Sequence, residues 1–149
     1  MSQANLISVR GVQLELKHLP RPSQLLAGPP LPACVFLHEG LGSVALWKDW
    51  PQQVCDALGC EGWIYSRRGY GQSESITDFR DAGQLPADYM HREALEVLPE
   101  ILETLNITKP LLIGHSDGGT IALIHASEHP VAGCVVMAPH VMVEDIAIS

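Results

Sequence analysis

The chain has 149 residues, enough for one domain with a buried core. Hydrophobic residues make up 46% and charged residues 17%, a balance that excludes disorder, and there is no run of about eighteen apolar residues to cross a membrane. Seventeen acidic residues against nine basic leave a net charge of -8, which argues against nucleic acid or an anionic membrane as the main partner and serves solubility.

Met1 to Asn5 lack a charged segment followed by an apolar stretch, so no secretory signal is expected. Leu6–Val9 and Val12–Leu16 read as a hairpin, the second strand alternating apolar and polar as a half-exposed strand does. Five prolines between Pro20 and Pro32 predict a surface loop. Ala33–Leu37 is a short buried strand that opens into the small-residue segment His38–Ser43. The next helix runs to Leu58 and stops at Gly59, with Asp49 as cap, Pro51 in its first turn and Trp50, Val54 and Leu58 facing the sheet. Gly62–Tyr65 is again apolar, and the loop Ser66–Ser73 follows, where Arg67 and Arg68 can tie the chain to carboxylates or carbonyl groups.

A longer helix carries Ala94, Val97, Leu98, Ile101, Leu102 and Leu105 on one face and Glu93, Glu96, Glu100 and Glu103 on the other, and ends near Asn106. Leu111–Ile113 leads into Gly114-His115-Ser116-Asp117-Gly118-Gly119, and a helix follows to about His129, where Pro130 stops it. Val131–Ala138 reads as a sixth strand. Strands alternating with helices predict an α/β fold, a mostly parallel sheet covered on both faces. Cys34, Cys55, Cys60 and Cys134 lie in or beside apolar segments with no C-x-x-C spacing, which fits a reduced cytoplasmic chain with buried thiols better than a disulfide framework or a zinc site.

The segment around Ser116 carries the chemistry. G-x-S-x-G between a strand and a helix is a nucleophile elbow: a sharp turn that projects the serine hydroxyl above the sheet, with small residues two before and two after it to avoid a clash. The helix that follows directs its first N–H groups at the same space. The loop after the third strand supplies a second backbone donor in this architecture. Asp117 N–H and Gly40 N–H are therefore the candidate oxyanion donors, with Leu41 as the fallback and a pocket-lining residue.

These three motifs in this order resemble the N-terminal half of an α/β-hydrolase. His38-Glu39-Gly40-Leu41 is similar to the H-G-x-x loop, with Glu39 in place of its first glycine, Arg68–Ser73 to R-G-x-G-x-S, and Gly114–Gly118 to the elbow; the resemblance spans about Ala33 to Ala138. It implies a serine hydrolase that forms an acyl-enzyme at Ser116 from an ester, thioester or activated carbonyl of a small-molecule substrate, with no cofactor and no metal. Some members of the family cleave carbon–carbon bonds of ring-fission products instead, and a silent binding module or inactive fragment is the third possibility.

In this fold the order is serine, acid, histidine, and the acid and histidine follow strands seven and eight. Residues 1–149 are thus expected to be the N-terminal part of one core domain, strands one to six, without the cap and the last strands, inactive alone and open to self-association through an exposed sheet edge. Among the seven histidines, His140 is read as lining the pocket, with Glu144 and Asp145 near it in sequence, rather than as the base. His38 and His115 are read as structural, and His125 with His129 lacks a third metal ligand. The Asp117 side chain is expected to turn away and cap the helix.

Overall fold

In the computed structural model, which describes residues 5–22, 31–76 and 85–142, the chain opens with β1 (Asn5–Val9) and β2 (Val12–Leu19) paired antiparallel. The turn between them holds Arg10 and Gly11, both at positive φ (51° and 78°), the hand that matches strand twist. β3 (Cys34–Leu37), β4 (Gly62–Tyr65), β5 (Leu111–His115) and β6 (Gly133–Met137) run parallel, and β2 joins them antiparallel through β4. The six strands lie in the order β1-β2-β4-β3-β5-β6, so β3 sits at the centre and the loops after β3, β4, β5 and β6 gather at one edge.

Alternation along the strands sends side chains to two layers. Val35, Leu37, Tyr65 and Leu112 meet Leu98, Ile101 and Ile121, which belong to α3 (Leu98–Thr104) and α4 (Asp117–Glu128). Cys34, Phe36, Ile64 and Ile113 meet Cys55 of α1 (Trp50–Leu58) on the other face. The sheet is mostly parallel with helices on both faces, as the sequence predicts.

Three local expectations are corrected. In α1 the buried positions are Pro51 and Cys55, with Val54 partly buried, whereas Trp50 and Leu58 are exposed. Trp50 stacks on Trp47 (centroids 5.5 Å apart) and meets the edge of Phe36, so the aromatic group sits at the margin of the layer and the buried stripe shifts by one residue. Asp49 makes no capping bond; its backbone is already helical (φ -91°, ψ -5°), not extended as a cap requires. Gly59, at φ 70°, does end the helix. The Pro20–Pro32 loop lies largely outside the described residues.

The third correction concerns Glu93. The helical run over 89–104 is α2 (Tyr89–Arg92), a π-helical segment (Glu93–Val97) and α3. Pro99 has no N–H to give Leu95, so the regular ladder cannot continue through it, and the widened turn precedes that break. Ala94, Leu98, Ile101 and Leu102 are buried as predicted, but Glu93 is buried with them. Burial pushes the Glu93 carboxyl up to about 7, against the opposing pull of Arg67 and the Tyr65 hydroxyl. The folded state therefore holds this proton more tightly than the unfolded chain does. Its contribution is present at low pH and is lost as pH rises from about 4.5 to about 7. Urea unfolding should show up to about 3 kcal/mol of stability lost over that window, and Glu93→Gln should flatten the profile. An unchanged profile in the variant would assign the loss to another group.

Candidate active site

β5 ends at His115 and α4 starts at Asp117, so Ser116 alone makes the turn between strand and helix. It adopts φ 54° and ψ -117°, a left-handed conformation that costs a non-glycine residue about 1–3 kcal/mol and persists only where the surroundings impose it. Ser116 N–H donates to Met137 O (2.8 Å), which ties the turn to the end of β6. The two flanking glycines are required by close approach. A Cβ at position 114 would collide with the Gly118 carbonyl, and one at 118 with the Leu37 carbonyl. α4 thereby packs against the ends of β5 and β3, and the first residue of the helix, Asp117, has no intrahelical acceptor for its N–H.

The loop after β3 is held by a buried hydrogen-bond network built on Arg67, which is only 1% exposed. Its Nη1 donates to His38 O (2.6 Å) and its Nη2 to Glu39 O (2.9 Å), while Nε donates to the Tyr89 hydroxyl. Its backbone N–H donates to His38 Nε2 (3.0 Å). His38 Nε2 is therefore an acceptor, and Nδ1 carries the proton that it gives to Glu39 O (2.6 Å). Burial, and secondarily the Arg67 charge, lower the His38 pKa to about 3, so this imidazole is neutral at physiological pH. Gly42 N–H also donates to Glu39 O (3.0 Å). Three donors thus fix one carbonyl. Because the peptide is trans, the Gly40 N–H of the same unit points the opposite way, away from Arg67. Glu15 steadies the neighbouring loop, accepting from Gln72 N–H (2.6 Å); this buried carboxylate breaks the polar-out alternation expected of β2. Arg68 pairs with Glu74 at the surface (3.6 Å).

His140 comes to the same place by a different route. After β6, Ala138 takes positive φ (49°), and the Thr120 hydroxyl both accepts from His140 N–H (2.7 Å) and donates to His140 O (3.1 Å). This clamp sets His140 Nε2 2.9 Å from Ser116 Oγ and 3.3 Å from Asp117 Oδ1. His140 thus touches Ser116 directly. Thr120 carries no sequence signal for this task, because its role exists only once the β6 loop folds over α4. Asp117 does not turn away to cap the helix. Its carboxylate faces His140 and lies over Gly40, where an added Cβ would meet Oδ2 at 2.7 Å. Side chains lean toward the N-terminus of a helix, and from the first position of α4 that direction is the rim of the site. Leu41 stands 86% exposed beside the loop. A cavity of about 60 Å³, lined by His38, Glu39, Ser43, Leu46, Trp47 and His115, adjoins it. A larger one, about 430 Å³, is lined by Val9, Leu14, Tyr89, Glu93 and others and includes none of the candidate site residues.

His125 is buried, its Nδ1 bonded to Ala94 O (2.8 Å), and stacks on His129 (4.7 Å); the pair ties α4 to the π-helical segment. Glu144 and Asp145 lie outside the described residues.

A family model described as alpha/beta hydrolase fold matches residues 32–148. The chain belongs to this family. It is 33% identical over 116 residues to a 2-succinyl-6-hydroxy-2,4-cyclohexadiene-1-carboxylate synthase of Enterobacter sp. (strain 638), a match covering 75% of this chain and 39% of that protein. Among solved structures, an alpha/beta hydrolase fold protein from Burkholderia ambifaria aligns with a TM-score of 0.68 at 19% identity, over 97% of this chain and 47% of its own. An alpha/beta hydrolase from Sphaerobacter thermophilus gives 0.66 at 20% identity, over 95% and 47%. Epoxide hydrolase VrEH1 from Vigna radiata gives 0.61 at 15% identity, over 85% and 35%. At these identities the solved structures share the alpha/beta hydrolase fold. The chain spans about two fifths of the curated relative and less than half of each of these solved chains. No helix among the described residues is long and apolar enough to cross a membrane.

Proposed function

We propose that the whole protein is a serine hydrolase in which Ser116 attacks the carbonyl carbon of an ester, thioester or similarly activated acyl group. The observation that carries this reading is the backbone of Ser116, a single residue at φ 54° between β5 and α4. A strained turn of this kind exposes the hydroxyl and leaves the next N–H free. The tetrahedral oxyanion rests on Asp117 N–H and Gly40 N–H, the latter aimed by the bonds that hold Glu39 O. The Asp117 carboxylate opposes that negative charge; its Oδ1 lies 3.3 Å from His140 Nε2. Water then releases the acyl group. Among the described residues no strand pairs the outer edge of β6, where Val135 is half exposed, and in a truncated chain that edge would be the surface through which copies associate.

His140 is the resting partner of Ser116 and not its base. A catalytic imidazole accepts the serine proton on one nitrogen while a carboxylate holds the other. Here serine and carboxylate converge on the same Nε2, and the side chain is half exposed. The proton passes to a histidine of the whole protein outside residues 1–149, the order this fold uses. A fluorophosphonate probe is expected to label Ser116 in the whole protein, and His140→Ala to change the labelling rate by less than about tenfold; loss of a true base costs about 10²–10⁴-fold. An unlabelled serine would sink the nucleophile, and a loss of that larger size would make His140 the base.

The curated relative favours a second reading, since its name is that of a synthase of a cyclohexadiene carboxylate and not of an esterase. The same serine and amide pair would then serve a reaction that cleaves no ester. In that case the probe still labels Ser116 but simple esters are not turned over.

A further inference from the structure

Cys34 opens β3, Cys55 lies toward the end of α1, and Cys60 sits in the turn that leads into β4. Their three Sγ atoms lie within 4.8 Å of one another, with Cys34 and Cys60 3.2 Å apart. All three are buried in the apolar layer of Leu19, Phe36, Ile64 and Ile113. The sequence spacing hides this group, because it is assembled from a strand, a helix and a turn. We propose that Cys34, Cys55 and Cys60 form a binding site for a trivalent thiophilic ion of the arsenite class.

Charge decides the class. Three thiolates around a monovalent copper ion leave two net negative charges, and around zinc one. A net charge in an apolar layer costs several kcal/mol unless it is paired. Asp56 and Glu61 are near enough to Cys55 to make further negative charge there less favourable. A trivalent ion with three thiolates is neutral, so only that stoichiometry suits the surroundings. The reaction balances without a redox step: As(OH)₃ and three Cys S–H groups give As(S–Cys)₃ and three waters. Three As–O and three S–H bonds break, and three As–S and three O–H bonds form.

Geometry agrees. Bonds of roughly 2.3 Å to sulfur, at angles between a right angle and tetrahedral, place the sulfurs about 3.3–3.8 Å apart. The Cys34–Cys60 pair is already close to that spacing, and the other pairs close by at most about 1.5 Å. The site lies at the opposite end of β3 from Gly40 and does not rest on the reading of Ser116.

The test is native mass spectrometry of the whole protein with arsenite, in a phosphine reductant that offers no competing thiol. One arsenic should add with loss of three hydrogens. Cys34→Ser, Cys55→Ser and Cys60→Ser should each weaken binding on the order of 100-fold, since the remaining pair loses the third intramolecular ligand. Cys134→Ser, on β6 outside the trio, should bind as the parent does. Should a serine variant not fold, the unsubstituted protein decides alone: saturating arsenite must raise its unfolding midpoint. No adduct on the folded protein, parental affinity in Cys55→Ser, no midpoint shift, or tighter binding of zinc than of arsenite would each overturn the site.

Discussion

Ser116→Ala is expected to reduce ester hydrolysis by the whole protein by on the order of 10⁴-fold or more while leaving it folded. The loss is large because the variant has no atom that can form the acyl-enzyme. The stability change is small because alanine keeps the same Cβ at φ 54° and forfeits only the hydrogen bond to half-exposed His140, worth about 1 kcal/mol or less. Ser116→Gly separates chemistry from strain. It is equally inactive, but relief of the positive φ should make it more stable than the alanine variant by about 1 kcal/mol. Steady-state kinetics and urea unfolding on the three proteins check both halves. Turnover by the alanine variant at the parental rate would remove Ser116 from the mechanism.

Arg67→Met is expected to lower kcat by about 10²–10³-fold with KM little changed. Its guanidinium is buried. It holds the carbonyls of His38 and Glu39, and in the proposed mechanism the rigid peptide thereby aims the Gly40 N–H at the developing oxyanion. A donor that matters only in the transition state acts on kcat. Arg67 is thus a positioning residue. The variant also takes the Arg67 donor from the buried His38 carbonyl and removes the cation that opposes the raised Glu93 pKa, so a stability loss of about 3–5 kcal/mol accompanies it. Arg67→Lys keeps the charge but cannot span two carbonyls at once, and should restore stability more than kcat. Equal recovery of both would mean that Arg67 merely supports the fold. Amide exchange at Gly40, faster in the methionine variant, distinguishes misaimed loop geometry from global loosening.

Both predictions draw on parts that were legible to different degrees. The elbow was readable because its constraint is local. Gly114 and Gly118 have no room for a side chain once a strand turns into a helix in a single residue, and that need is written in five consecutive letters. The apolar runs of β3 and β5 were equally plain. Arg67 was recognisable as a tie for carbonyl groups. Its two acceptors lie 28 and 29 residues away, however, and only the parallel pairing of β3 with β4 sets the two loops side by side.

His140 shows the limit more sharply. Its position after β6 marked it as facing the site, yet its bond to Ser116 depends on the Thr120 clamp, made across 20 residues by a hydroxyl with no motif around it. Glu93 looked exposed on an ideal helical wheel, and the π-helical turn ahead of Pro99 changed the register. From the amino-acid order alone came the layered α/β plan, the strand order in the chain, and the serine with its flanking small residues, because each follows from contacts within a few residues. Folding in three dimensions decided which carbonyl Arg67 holds, which nitrogen of His38 carries a proton, where Asp117 points and how three distant cysteines meet. Those outcomes depend on long-range register and burial, which a periodic pattern does not encode.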